Sequence, residues 1–312
     1  MITRDLDAFL ALARDTAPDF GPGTARAAFL VAPDGFAHAV ESASDNRYMA
    51  AAAAFEPGLA MQQHRALHAA LSRQLPTVCF AGDAGTPDAV FPNNVFASAR
   101  ADARSGGAFA PRLVIGRMRH PVRRREAARQ DIRGWFREVA GYAELDLSTQ
   151  PHACELTGAL VIDRARGLGY CGLSERCDAA GAALMHEAFG LRATLAFDLA
   201  PGEYHANVVL AVLAGRAVLA CPEGFAVPAV AQAIARLYPH AALLSAAERD
   251  AFAGNAIALA PGTVSMSATA ACALRPGTRR MLEAAGFATC QVDLSAIEAA
   301  GGSLRCCVAE VF

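Results

Sequence analysis

The sequence predicts an α/β fold assembled from small repeated units. Apolar segments of strand length alternate with alanine-rich helical segments, and 54% of the 312 residues are hydrophobic, which is ample core material. The order hairpin, helix, strand recurs several times and favours a propeller-like arrangement of these units. Because no proline- or serine-rich linker divides the chain, a single domain over residues 1–312 is expected.

Individual elements are predicted from periodicity and from the residues that punctuate it. Glycine-containing turns at 166–167, 215–216 and 261–262 separate pairs of apolar runs, which predicts three hairpins. Strands are predicted over 27–32, 89–98, 112–116, 159–163, 168–172, 207–214, 217–221 and 307–312, with a hairpin over 255–267. Helices are predicted over 59–75, 121–140, 178–189, 227–237 and 277–285.

Charge and hydropathy argue against two classes of partner. The net charge of −2 at pH 7 provides no electrostatic surface for nucleic acid. Residues 117–125 are basic, but Glu126 and Asp131 follow them, so this stretch is interpreted as a solvated helix face. No run approaches the ~18 apolar residues of a membrane span, and the acidic residues 1–7 argue against a secretory signal. A cytoplasmic protein is expected, and whether its copies form a homo-oligomer stays open.

The cysteines and histidines do not form a metal-binding pattern. Nine cysteines without a C-x-x-C pair indicate reduced thiols rather than disulfides or a zinc site. His64 and His68 are close in sequence, but Arg65 replaces the acid of the H-E-x-x-H motif. The pair is therefore interpreted as a solvent-facing stripe of a helix, and neither a metal nor another cofactor is predicted.

The C-terminal stretch contains a candidate nucleophile. Gly301 and Gly302 allow positive φ and a close approach of the backbone to a ligand. Cys306 lies between this turn and a short predicted strand, with Arg305 beside it, which is a favourable place for a thiolate. The alternation of a strand directs Cys307 to the opposite face. A buried, unreactive cysteine is the alternative, which this stretch alone does not exclude.

Three polar residues, Asp88, Glu155 and His205, stand where loops enter apolar strands. Each has a structural alternative, as a turn former, a capping acid or a satisfied core histidine. A cysteine nucleophile, however, needs a histidine that moves protons and an acid that orients it. Glu155, His205 and Cys306 supply this set.

In this order the residues resemble the guanidine-modifying (pentein) superfamily. Five internal segments are similar to its motifs, namely 86–94 (acid, then F-x-N-N), 154–158 (hairpin entry with a glutamate), 172–176 (G-x-S-x-R), 204–208 (H-x-N-V) and 252–256 (a structural F-x-G-N element). The terminal Gly-Gly-Ser-Leu-Arg-Cys completes the series, so the resemblance covers nearly the whole chain. It implies a five-bladed α/β propeller with pseudo-fivefold symmetry and a site in the central channel.

The resemblance also implies roles for further residues. Arg176 is expected to bind the substrate α-carboxylate, and Asn46 is in a segment similar to one that contacts substrate in arginine dihydrolases. Asp88 is expected either to bind a guanidinium edge or to support its loop. Asn94 and Asn207 stand where deiminases carry aspartates. Amides hold a cation less firmly than carboxylates do and suit a neutral ureido group better.

The implied activity is hydrolysis at the guanidino or ureido carbon of an arginine- or citrulline-like amino acid. Cys306 would attack that carbon to form a covalent thiouronium intermediate. His205 would protonate the leaving nitrogen and then activate water, while Glu155 would orient His205 or bind the guanidinium. Ammonia is the expected product, and a second cycle would run to ornithine.

Several alternatives stay open. A dimethylarginine dimethylaminohydrolase or an arginine deiminase would stop after one hydrolysis. An amidinotransferase would pass the amidine to an amine instead of to water. A non-enzymatic protein resembling the archaeal and eukaryotic ribosome anti-association factor would share the propeller without the catalytic residues.

Overall fold

The computed structural model describes residues 1–100 and 110–312. The strands within these residues are β1 Ile2–Thr3, β2 Ala27–Val31, β3 Thr77–Phe80, β4 Phe96–Ala99, β5 Arg112–Ile115, β6 Ala143–Asp146, β7 Leu160–Asp163, β8 Leu168–Leu173, β9 Ala193–Asp198, β10 Leu210–Leu213, β11 Ala217–Ala220, β12 His240–Leu243, β13 Ile257–Ala260, β14 Thr263–Ser267, β15 Ala288–Val292 and β16 Ala309–Val311.

The helices are short, apart from α3. They are α1 Leu6–Arg14, α2 Val40–Ala43, α3 Pro57–Ser72, α4 Pro121–Arg124, α5 Gln130–Gly134, α6 Leu156–Ala159, α7 Ala179–Ala188, α8 Ala206–Val209, α9 Pro228–Ala235, α10 Ala246–Asp250, α11 Ala268–Ala273, α12 Pro276–Ala284 and α13 Ser295–Glu298. No helix in the described part of the chain is long and apolar enough to cross a membrane.

In the described residues the strands form five small mixed sheets of one common design. Each contains an antiparallel pair, and the second strand of the pair also has a parallel neighbour that follows a helical crossover. The sheets are β4-β5-β6, β7-β8-β9, β10-β11-β12, β13-β14-β15 and β16-β2-β3, and β1 adds to the second sheet through β9. The predicted α/β class is confirmed, as are the three predicted hairpins β7–β8, β10–β11 and β13–β14.

The last of these sheets joins the beginning of the chain to its end. Strand β16 pairs antiparallel with β2, with Ala309 opposite Phe29 and Val311 opposite Ala27. The first strands of neighbouring sheets also pack on one another, since β10 contacts both β7 and β13 and β16 contacts β4. The loops that enter these first strands are therefore brought towards one another.

The structure corrects the prediction of one continuous helix over 121–140. This stretch contains α4 and α5, joined by a 3₁₀ helix at Arg125–Ala128 and followed by a π-helical turn at Trp135–Val139. It is also not solvated throughout, because Arg123 and Glu126 are buried. The Arg123 guanidinium forms two 2.8 Å bonds to the Glu126 carboxylate and also donates to the carbonyls of Asp88 and Phe91, which compensates its burial.

A second correction concerns His64, which was predicted to face solvent. Its side chain is buried, and burial lowers its pKa to about 4, so the ring is neutral near pH 7. The apolar face of α3 is wider than the sequence pattern suggested.

The third correction concerns where strands begin. Asn94 lies in a 3₁₀ helix at Pro92–Asn94, and Asn207 lies in the short helix α8, so neither belongs to a strand. Cys306 and Cys307 lie in a turn before β16, so the predicted alternation of strand faces does not apply to them. These helical turns matter because they carry most of the predicted site.

Candidate active site

Five turns lie at equivalent places in the five sheets. Each immediately precedes the first strand of an antiparallel pair. In chain order the turns are Pro92–Asn94, Leu156–Ala159, Ala206–Val209, 252–256 and 304–307. Four of the five contain a residue predicted to act in the site or stand directly after one.

Hydrogen bonds link these turns in chain order. The Thr157 hydroxyl donates to the Asn93 carbonyl at 3.0 Å, and Asn207 Nδ2 donates to the Thr157 carbonyl at 3.1 Å. Asn255 Nδ2 donates to the Asn207 carbonyl at 2.9 Å, and the Cys306 N–H donates to Asn255 Oδ1 at 3.2 Å. Residues more than two hundred positions apart are thereby held in one polar cluster.

Glu155 and His205 form a buried pair at the centre of this cluster. His205 Nε2 lies 2.8 Å from Glu155 Oε2, and both side chains are fully buried. The other carboxylate oxygen accepts the backbone N–H of Arg119 at 2.9 Å, and Arg176 Nη1 approaches Oε2 at 3.3 Å. The carboxylate is therefore held by groups from three separate parts of the chain.

The charge states of this pair follow from its surroundings. Burial alone would raise the pKa of Glu155, but the Arg176 charge and the His205 hydrogen bond outweigh it and hold the pKa well below its usual range. Burial lowers the pKa of His205 in spite of the neighbouring carboxylate. An ionised carboxylate only accepts, so His205 is neutral with its proton on Nε2, and Nδ1 carries a free lone pair.

His205 Nδ1 lies next to the backbone of Gly158, as does the side-chain oxygen of Asn94. No described residue hydrogen-bonds to His205 Nδ1 or to Asn94 Oδ1, although both atoms are buried. A Cβ at position 158 would lie 2.7 Å from His205 Nδ1 and 2.5 Å from Asn94 Oδ1. Only glycine leaves these two acceptors open, so they are available to the N–H groups of a ligand.

Cys306 is buried and is contacted by amides. Its Sγ lies 3.2 Å from Asn255 Nδ2 and 3.7 Å from Asn207 Nδ2. Burial raises the pKa of the thiol, and the Asn255 hydrogen bond and the Arg305 charge oppose that rise only in part. Arg305 is also paired with Glu310 at 3.0 Å, and the role of Cys306 as nucleophile stays a prediction. Cys307 packs in an apolar cluster that includes Leu304 and Val308.

Asp88 and Arg176 belong to a layer around this centre. Asp88 accepts the Ser42 hydroxyl at 2.5 Å, and burial raises the pKa of its carboxyl group. The Arg176 guanidinium donates to Asp45 at 2.5 and 2.9 Å and to the Ser42 carbonyl at 3.0 Å. Substrate binding by Asp88 and by Arg176 stays a prediction. Two nitrogen atoms of the Arg176 guanidinium, Nε and Nη2, already donate hydrogen bonds to the Asp45 carboxylate.

Asn46 anchors its segment to the glycine turn before Cys306. Its Nδ2 donates to the Gly301 carbonyl at 3.3 Å, and its Oδ1 accepts the Tyr48 N–H at 3.1 Å. Gly301 has φ +76°, which confirms the predicted positive φ, and Asn46 fills the place of a Cβ there. A substrate contact by Asn46 stays a prediction.

Some residues of the cluster are not predicted from the sequence. Asn255 was assigned a structural part, and Ser42 and Asp45 were not singled out. Asp45 directly precedes Asn46, so the signal for it was proximity to an already recognised segment. Ser42 carries no comparable signal. Among the described residues no group of three or more His, Cys, Asp and Glu side chains is placed to hold a metal ion, and catalysis without a metal stays a prediction.

The chain is similar in sequence to dimethylarginine-hydrolysing proteins. A family model described as N,N dimethylarginine dimethylhydrolase, eukaryotic, matches residues 32–312. The chain is 29% identical over 228 residues to the N(G),N(G)-dimethylarginine dimethylaminohydrolase of Mycobacterium tuberculosis, with 73% of this chain and 67% of that protein covered.

Solved structures share the fold. The substrate-bound N-terminal domain of ArgZ, an arginine dihydrolase from cyanobacteria, superimposes with a TM-score of 0.76 at 19% identity and covers 91% of this chain and 97% of that domain. A dimethylarginine dimethylaminohydrolase variant in adduct with S-methyl-L-thiocitrulline gives 0.67 at 19% identity, over 92% and 100% of the two chains. At this identity the likeness shows the α/β fold alone.

Proposed function

The chain belongs to the dimethylarginine dimethylaminohydrolase family of the pentein superfamily, and we propose that it hydrolyses the guanidino group of an arginine-type amino acid, with an Nω-methylated arginine as the favoured substrate. The observation that carries this proposal is the buried Glu155–His205 pair, whose free Nδ1 lies in the same hydrogen-bonded cluster as Cys306. A nucleophile, a proton carrier and an orienting acid are the groups that such a hydrolysis needs.

The resting site holds a neutral thiol and a neutral imidazole. A guanidinium that enters brings a positive charge close to the sulfur, which lowers the thiol pKa and favours transfer of its proton to His205 Nδ1. The Cys306 thiolate then attacks the guanidino carbon and forms a C–S bond. Glu155 stabilises the imidazolium that results, because its carboxylate is ionised.

The imidazolium next returns its proton to the leaving nitrogen, so the C–N bond breaks and an amine departs. His205 Nδ1 then takes a proton from water, which adds to the thiouronium carbon. The C–S bond breaks, the sulfur recovers a proton, and citrulline is released. Asn94 and Asn207 hold the guanidino nitrogens in this scheme, and water rather than an amine accepts the carbon.

The test is incubation of the purified chain with asymmetric dimethylarginine, arginine, citrulline and an acylated arginine. Dimethylamine and citrulline, identified by mass, are the expected products of the first compound. Transfer of the amidine to an added amine would instead favour the amidinotransferase alternative. Absence of turnover with every guanidino and ureido compound, in a protein shown to be folded, would contradict the proposal.

The amides favour a second candidate, an arginine dihydrolase that continues to ornithine. Asn94 and Asn207 can donate to a ureido oxygen, which a carboxylate would repel, so the first product can be held for another attack. Asn94→Asp should then lower the ratio of ammonia released to arginine consumed from near two towards one. Asn93→Asp, which places a charge in the same turn, should leave the ratio unchanged. A ratio of one in the unmodified protein would eliminate this candidate.

We also infer that the five sheets surround a common axis as a five-bladed propeller and that residues 1–312 form one catalytic domain. The shared design of the sheets, the contacts between their first strands and the chain of hydrogen bonds through the five turns support this arrangement.

A further inference from the structure

Asn255 contacts Cys306 at two atoms, its backbone nitrogen and its sulfur. Its side chain is fully buried, its Oδ1 accepts the Cys306 backbone N–H at 3.2 Å, and its Nδ2 lies 3.2 Å from Cys306 Sγ. The same Nδ2 donates to the Asn207 carbonyl at 2.9 Å, and the Asn255 carbonyl accepts the Arg305 N–H at 3.2 Å. The residue thus holds both the backbone and the sulfur of the cysteine.

The partners of the amide determine its orientation. A backbone N–H only donates and a backbone carbonyl only accepts, so Oδ1 must face Cys306 N–H and Nδ2 must face the Asn207 carbonyl. In the flipped amide, the NH₂ group would face the Cys306 N–H and the side-chain oxygen would face the Asn207 carbonyl, so neither hydrogen bond could form. Consequently an N–H donor is directed at Sγ, and such a donor favours the thiolate over the thiol.

The backbone at 252–255 is built to present this side chain. Phe252 has φ +63°, a left-handed conformation that is strained for a bulky side chain. Gly254 lies so close to the Val208 carbonyl that a Cβ there would clash with it. Strain of this kind persists where the surrounding structure imposes it, and it concentrates at functional sites. The 252–256 turn thereby places Asn255 between the turn that contains Asn207 and the turn that contains Cys306.

We propose that Asn255 is a positioning residue that orients Cys306 and stabilises its thiolate by direct donation from Nδ2. This inference rests on the proposed function only in taking Cys306 as the nucleophile. Burial raises the pKa of the thiol, and the Asn255 hydrogen bond is the strongest opposing influence on it. The thiolate that forms when substrate arrives therefore finds its donor already in place.

The experiment measures the thiol pKa of Cys306 without any substrate. The rate of alkylation by iodoacetamide is followed against pH at position 306, with peptide mass spectrometry separating this site from the other cysteines and with Cys307→Ala as the background. Asn255→Asp keeps an oxygen for the Cys306 N–H but replaces the donor to sulfur with a second acceptor. The pKa should rise by at least about one unit, so alkylation at pH 7 should slow about tenfold or more.

Two further variants make the result interpretable. Gln63→Glu, a buried amide-to-acid change in α3 whose side chain bonds to Ser295 and Ala296 and not to Cys306, should leave the alkylation profile unchanged. Asn255→Ser, a smaller change, should raise the thiol pKa in the same direction, and near-ultraviolet circular dichroism checks that each variant is folded. An unchanged thiol pKa in folded Asn255→Asp or Asn255→Ser would overturn the proposal.

The two cysteine variants provide a test that needs no substitution of Asn255. If no Asn255 variant folds, a Cys306 thiol pKa at or above that of Cys307, measured in the Cys306→Ala and Cys307→Ala proteins, overturns the proposal, and a lower value supports it. Because alkylation uses no guanidino compound, this test stays valid if the panel of substrates gives no turnover. If the Asn255 variants raise the Cys306 thiol pKa as expected but no substrate is turned over, the Asn255 proposal is supported and the proposed function is contradicted.

Discussion

At the scale of single residues, two adjacent cysteines have different surroundings. Both belong to one apolar cluster, but the amides of Asn207 and Asn255 also contact the sulfur of Cys306. Cys306→Ala should therefore remove detectable turnover, and Cys307→Ala should retain turnover within a few fold. Steady-state kinetics with the substrate identified above measures this, and the reverse outcome would reject Cys306 as the nucleophile.

The His205 pKa gives a second prediction at this scale. Burial lowers that pKa, so the neutral ring is fully present above about 6.5, the ordinary value of histidine, and is lost only as the pH falls through a lower folded-state value. The acid limb of kcat/KM should accordingly lie below pH 6.5. Glu155→Gln keeps an acceptor for Nε2–H but removes the charge that favours the imidazolium, so the limb should move to still lower pH.

Glu155→Gln should also reduce kcat by a factor of about 10² or more. General acid–base catalysis contributes a factor of this order, and here it depends on an imidazolium that Glu155 stabilises. His205→Ala provides the reference for complete loss of the group. An acid limb that stays in place or moves upward in Glu155→Gln would contradict the assigned roles.

At the scale of elements, the helical turns determine which groups face the site. Gly158 has room for no side chain, since a Cβ would meet Asn94 and His205. Gly158→Ala should lower kcat/KM by at least about 10², while the unfolding free energy falls by about 1–3 kcal/mol, the usual range for an overpacked site. Gly58→Ala is the matched control, because a Cβ added at this exposed position in the first turn of α3 would meet no atom within 4 Å. It should change neither kcat/KM nor the unfolding free energy appreciably. Activity of Gly158→Ala within a few fold of the parent would show that substrate does not contact His205 Nδ1 and Asn94 Oδ1.

At the scale of the whole molecule, one short strand pairs the end of the described chain with β2. Removal of residues 309–312 deletes β16, the edge of its sheet, together with the buried side chains of Val311 and Phe312. Burial of such side chains contributes about 1.5–3 kcal/mol each, against a total stability of about 5–15 kcal/mol. Thermal unfolding followed by circular dichroism should show a large loss of stability, and turnover should disappear although Cys306 remains.

Removal of residues 1–3 is the control for this truncation. Strand β1 has only two residues and pairs with β9 alone, at the edge of another sheet. Its loss should lower the melting temperature much less than the loss of β16. Equal effects of the two truncations would argue against closure of the fold through β16 and β2.

The sequence by itself determined the α/β class, the strands of the antiparallel pairs and the residue types of the candidate site, but it assigned none of the parallel third strands, which are β3, β6, β9, β12 and β15. The predicted features are local, because the alternation of apolar residues, the turn glycines and the neighbours of Glu155, His205 and Cys306 can be read within a few positions. The glycine turn at Gly301 was predictable for the same reason.

Only the tertiary structure decided which distant groups meet. It paired Arg176 with Asp45, buried Arg123 against Glu126 and the carbonyls of a remote loop, and directed the amide of Asn255 at the sulfur of Cys306. It also buried Cys306, which raises the pKa of its thiol. Burial and partner geometry depend on residues far apart in sequence, and they set the protonation of a group more strongly than its neighbours along the chain do.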